Sequence, residues 1–219
     1  MNHRFSRAAL SSALVALALL SGCKSTGAEK VDQTSTRLDQ FRTGVETLKG
    51  QVTGTADALA QVVATAATDP KPAFKEFSKQ VDLVSSSTTK ARTNLDKAQS
   101  EGAKLFEEWT KRLDTITDPD IRQASEKRRD DLKKALSSVA EEANPALTSL
   151  EAYVATTKDL HTYLSQDLTP AGIESIAGKS KDLGKSAKSI AEDLDDVIEA
   201  ASKVASQFAT AKPPPPQAK

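Results

Sequence analysis

Hydrolytic chemistry needs a nucleophile, a base and a group that orients the base, all converging on one place. This chain has one cysteine, Cys23, and two histidines, His3 and His161. Cys23 and His3 belong to a leader-like start, so the rest of the chain offers His161 as its one imidazole and no free thiol. Alone in a heptad pattern, His161 reads as a surface or tip-proximal helix residue. Metal binding by His and Cys clusters fails for the same scarcity. Carboxylates are plentiful in Asp130-Asp131, Glu141-Glu142 and Asp193-x-Asp195-Asp196, but Lys and Arg interleave with them as on a solvated helix face. Paired carboxylates on such a face lack a pocket to perturb them. The expectation is a non-enzyme with no catalytic residue, no metal and no cofactor.

Two clusters have the composition of recognition sites. Leu105-Phe106-Glu107-Glu108-Trp109 is the densest aromatic spot, and Phe106 and Trp109 share a helix face at the three-residue spacing. Aromatics of this kind serve as docking anchors; equally, Trp109 falls on the apolar seam, where it would belong to a packed layer. Arg122, Lys127, Arg128, Arg129, Lys133 and Lys134 form a basic patch suited to anionic headgroups, although Glu126, Asp130 and Asp131 are threaded through it. Within it, Arg122, Arg128 and Arg129 are the candidate contacts. Arg128 lies on the apolar stripe itself and therefore needs a partner or an exit to solvent.

Cys23 has a different chemistry in view. Residues 1–7 carry Arg4 and Arg7, residues 8–20 are an apolar run from Ala8 to Leu20, and small residues come next, the order of a secretory signal. The run is too short to span a bilayer comfortably, which takes about 20 apolar residues. Its end, Leu20-Ser21-Gly22-Cys23, resembles the bacterial lipobox. That resemblance implies cleavage before Cys23 and acylation of its sulfur and of the new amine. Buried acyl chains contribute about 0.8 kcal/mol per methylene, so two or three would hold the protein on a membrane almost permanently. Lys24 stands where, in the enterobacterial lipoproteins that this segment resembles, an Asp is the usual inner-membrane retention signal, and by that resemblance the absence of Asp favours the outer membrane. An ordinary secretory peptide with a chance cysteine is the alternative.

Lys plus Arg and Asp plus Glu number 30 each; processing before Cys23 would remove Arg4 and Arg7 and no acid, leaving a net charge of −2. This balance gives no reason to expect nucleic acid, whose binders carry a clustered basic face.

The elements that must position these residues are helices. Few aromatics, few Gly and Pro, and abundant Ala, Leu, Ser, Thr, Lys, Asp and Glu favour them. Thr26-Gly27-Ala28-Glu29 reads as a capping box after a short tether at 23–28. Apolar or small residues then recur in alternating steps of three and four from Val31 to Ala66, from Phe74 to Ile116, from Ile121 to Leu164 and from Ile173 to Phe208. Asp69-Pro70, Asp118-Pro119 and Thr169-Pro170 punctuate the stripes. The spacing predicts helices over 29–67, 72–116, 119–164 and 170–209, with a kink or split near Pro145. Matched lengths and short connections predict an all-α, elongated, antiparallel four-helix bundle of coiled-coil type, its rods about 60 Å long. The tail, 211–219, contains four consecutive prolines and is expected to be extended.

The leader and box, the heptads, Phe106-Glu107-Glu108-Trp109, the Arg128-Arg129 region, Asn144-Pro145-Ala146-Leu147 and Leu168-x-x-Ala171-x-Ile173 together resemble a family of Gram-negative lipoproteins known only as a domain of unknown function. The resemblance implies a periplasm-facing lipoprotein with coiled-coil content. The expected function is a membrane-anchored scaffold or adaptor of the cell envelope that meets a protein partner or itself. The alternative is a carrier whose helices part to admit an apolar ligand, suggested by the small-residue seam.

Overall fold

The computed structural model describes residues 27–210. The expected signal segment 1–22, Cys23 with the expected tether as far as Thr26, and the tail 211–219 lie outside the described residues. The described chain is helical: α1 spans Gly27–Ala64, α2 Lys71–Leu113, α3 Pro119–Gln166, α4 Pro170–Ser175 and α5 Ala177–Thr210. The four long helices form a ring in the order α1, α2, α3, α5, in which α1 and α3 face each other across the diagonal. Contacts along the ring fix an antiparallel register. Lys30 at the start of α1 pairs with Glu108 near the end of α2, Lys49 of α1 pairs with Asp195 of α5, and Arg92 of α2 pairs with Glu151 of α3. One end of the bundle, the proximal end, therefore gathers Gly27, the α2–α3 turn and Thr210; the distal end holds the α1–α2 turn and α4.

The heptads bury as their spacing requires. Leu38, Phe41, Val45, Leu48, Val52, Leu59 and Val62 of α1 are fully buried, and the α5 stripe from Leu183 to Phe208 is buried throughout. Several seam positions hold hydroxyls, and these return to their own helix: Thr34 donates to Lys30 O at 2.9 Å, Thr55 to Gln51 O at 2.7 Å and Thr88 to Val84 O at 2.7 Å. The seam hydroxyls are thereby satisfied mainly within their own helices, and Thr55 also reaches Gln80 O of α2 at 3.4 Å. One bond crosses the diagonal: the Tyr153 hydroxyl, buried in α3, donates to Val52 O of α1 at 2.9 Å.

Three features depart from the sequence-based boundaries. The predicted fourth helix, 170–209, is divided at Ile176, whose N–H bonds to Ile173 O and Glu174 O in a tightened turn before the helix resumes at Ala177. Ile173 and Ile176, on either side of this turn, are both buried in the core at the distal end. Second, α3 passes through Pro145 without splitting, with the proline ring on the exposed face. Third, the start of the third stripe is not covered. Ile121 is 59% exposed and Arg128 is exposed, while Leu136, Ala140, Leu147 and Val154, off the predicted stripe, are buried. Register explains the exposure. Tyr153 of α3 lies level with Val52 of α1 and Arg128 level with Thr210 of α5, so Ile121 projects about 10 Å past the described ends of α1 and α5.

Candidate functional site

The aromatic cluster lies at the proximal end. Phe106 is 6% exposed and meets Phe208 of α5 at 6.4 Å between ring centroids, tilted by 51°. Trp109 is half-buried against the core, and its indole N–H donates to Ser125 Oγ of α3 at 2.9 Å. One turn below, Gly102 allows a close approach of α2 and α3: a Cβ there would stand 2.1 Å from Leu136 Cδ2. Phe106 thus fills an internal layer and offers no ring to a partner in this arrangement. Trp109 keeps one edge in solvent, with its polar atom already satisfied.

The three arginines of the basic patch do not act together. Arg122 reaches Asp114 at 3.2 Å and Glu126 at 3.6 Å. Arg129 pairs with Asp130 at 2.9 Å and donates to Thr110 Oγ1 at 3.2 Å. The hydrogen bond between Arg129 and Asp130 holds the guanidinium above its ordinary pKa and the carboxyl below its own. Arg128, the charge on the stripe, resolves its position differently: it is exposed and donates to Thr210 O at 3.3 Å, closing the last turn of α5. A cation is favourable there, where carbonyls lack helical partners. Exposed pairs of this kind are worth little each, so the patch presents alternating charge and no concentrated positive field.

His161 sits at the distal end, stacked on Phe74 at 5.3 Å and hydrogen-bonded through Nε2 to Ser78 Oγ at 3.0 Å. A serine beside an imidazole invites comparison with a nucleophile and its base. The direction of the bonds argues against activation here, because Ser78 Oγ already donates to Phe74 O at 2.8 Å and so accepts from Nε2–H. Among the described residues no carboxylate bonds to the ring, and no group of three potential metal ligands forms.

The feature not legible in the stripes is a groove between α3 and α5 at the proximal end, 960 Å³ in volume. Its floor is Leu132 and Ala135 of α3 with Ala200 and Val204 of α5; both rims carry mixed charge, Arg128, Asp131, Lys134 and Glu142 on α3 and Asp196, Glu199 and Lys203 on α5. Small residues at 135 and 200 both line the floor, so the two helices leave a furrow where larger side chains would interdigitate. The heptads alone gave small residues at seam positions but not which of them would stand opposite one another. Smaller furrows run along α3 elsewhere, at 460 Å³ against α2 and 440 Å³ against α5, whereas α1 packs more intimately on its neighbours. No described helix is long and apolar enough to cross a membrane.

A ring of long antiparallel helices, with an apolar interior, ion-paired faces and shallow furrows between its members, defines an all-α helical bundle. The chain belongs to the family described as a protein of unknown function (DUF2959), whose model matches residues 20–208 and so takes in nearly the whole bundle. Neither a curated protein nor a solved structure matches it.

Proposed function

We propose that this protein is a non-enzymatic scaffold or adaptor of the bacterial cell envelope, tethered to a membrane, expected to be the outer one, by acyl groups on Cys23 and facing the periplasm. The observation that carries the reading is where α1 begins. Gly27 stands four positions after Cys23, so an acylated Cys23 would put the proximal end at the bilayer and the α1–α2 and α3–α4 turns about 65 Å away, the length of α2. Ile121, the most exposed large apolar side chain among the described residues, projects at that same proximal end, where an interfacial environment would accept it. Two stages test the reading. Mass spectrometry of the protein from native membranes should find a processed N-terminus at Cys23 with its acyl chains. A photo-crosslinker at Thr68 or Gln166 in intact cells should then capture a protein or peptidoglycan neighbour, and an unmodified N-terminus or repeated absence of any neighbour would overturn it.

The carrier reading draws support from one observation, the furrows along α3, which mark where helices would part. Lipid extracted in stoichiometric amount from protein purified out of native membranes would favour it over the scaffold.

A further inference from the structure

The α3–α5 groove ends at Thr210, whose carbonyl is held by Arg128, so the chain leaves α5 at the mouth of the groove. Beyond Thr210 the chain reads Ala211-Lys212-Pro213-Pro214-Pro215-Pro216-Gln217-Ala218-Lys219. We propose that residues 211–219 turn back and lie in this groove, antiparallel to α5, with the prolines on Ala135, Ala200 and Val204 and Lys219 among Glu142, Asp196 and Glu199.

Reach, chemistry and charge each support this occupant. From Thr210 back to Asp196 is about 21 Å of helix at 1.5 Å per residue. In a polyproline helix, Pro213–Lys219 extends about 22 Å at 3.1 Å per residue, which leaves Ala211 and Lys212 to make the turn. Prolines carry no N–H, and a furrow walled by two α-helices offers no free backbone edge, so a partner that needs only an apolar platform suits it. A proline's φ is fixed by its ring, so a segment rich in proline loses little backbone entropy on docking. At the inner end of the groove Glu142, Asp196 and Glu199 have no ion pair among the described residues, whereas Asp131, near the mouth, is paired with Lys127 at 2.6 Å. Lys219 would supply the missing cation.

The test places a photo-crosslinking residue at Gln217 in the full chain, purified in detergent, and maps the products by mass spectrometry. The expected product is monomeric, with cross-links into residues 135–142 or 196–204. Its yield should fall about fivefold in the Glu142→Lys, Asp196→Lys double variant, as lost charge pairing at an exposed site allows, with helicity unchanged by circular dichroism. If the double variant loses helicity, Asp196→Asn alone serves for the same comparison. Cross-links only between two copies, only to a co-purified lipid or protein, elsewhere on the bundle, or of a yield indifferent to the charge changes would each overturn the proposal.

Discussion

At the residue scale, two positions separate what a side chain does locally from what it does across the bundle. The buried Tyr153 hydroxyl bonds across the diagonal to another helix, and burial pushes its phenol pKa up, with Asp57 adding to the effect. Tyr153→Phe should lower stability by about 1 kcal/mol, the usual net worth of such a bond, as measured by urea denaturation. The phenol's folded value lies above its ordinary 10.0, so its contribution is complete below that pH and is lost as pH rises beyond it. Wild-type protein should therefore lose stability more steeply than Tyr153→Phe between about pH 9 and 11, the range of an ordinary phenol titration, and equal slopes would refute the assignment. The glycines make a second pair. Gly184 has open space at its Cβ position, so Gly184→Ala should stabilise α5 by about 0.5–1 kcal/mol through helix propensity. Gly102→Ala meets Leu136 at 2.1 Å and must displace it, so its thermal midpoint should fall below that of Gly184→Ala.

At the scale of elements, helix starts are set by single side chains. Asp118 accepts from the N–H groups of Asp120 and Ile121, both at 3.0 Å, and caps α3. Asp118→Ala should cost about 1 kcal/mol in urea denaturation, whereas an unchanged midpoint would show that the α2–α3 turn is held by other contacts. At the distal end Asp167 accepts from the Thr169 hydroxyl at 2.6 Å and from its N–H at 3.2 Å, while Thr169 Oγ1 accepts from Gly172 N–H at 3.2 Å. The hydroxyl bond first, and the backbone bond after it, hold the Asp167 carboxyl below its ordinary 3.8. That stabilisation is present above 3.8 and is lost as pH falls through the lower folded value. The difference in midpoint between wild type and Asp167→Asn should be constant from neutral pH down to the ordinary carboxylate range and shrink below it.

For the whole molecule, cohesion rests on apolar layers, and the charges on the faces contribute little. Two of the ion pairs between helices, Lys49 with Asp195 and Arg92 with Glu151, are substantially solvent-exposed and subject to screening. Leu150 is fully buried at the centre of α3. Leu150→Ala should cost about 2–5 kcal/mol, and molar salt should move the wild-type midpoint by less than about 1 kcal/mol equivalent. A large salt effect would mean that the faces, and not the core, hold the ring closed. The furrows along α3 arise from the same balance, because small residues along a furrow bury less area per turn than Leu on Leu.

The sequence by itself determined that the chain makes long helices, where prolines and caps stop them, and which stripe of α1, α2 and α5 turns inward, because a seven-residue rhythm and a missing amide act within a few turns of chain. The tertiary structure decided what depends on level and pairing between helices. It put Phe106 against Phe208 and Gly102 under Leu136, left Ile121 beyond the described ends of α1 and α5, and gave Arg128 the carbonyl of Thr210. It also broke the last helix at Ile176 and opened the α3–α5 groove. The periodicity of one helix carries no record of how far it slides along another, and that sliding sets which side chains meet.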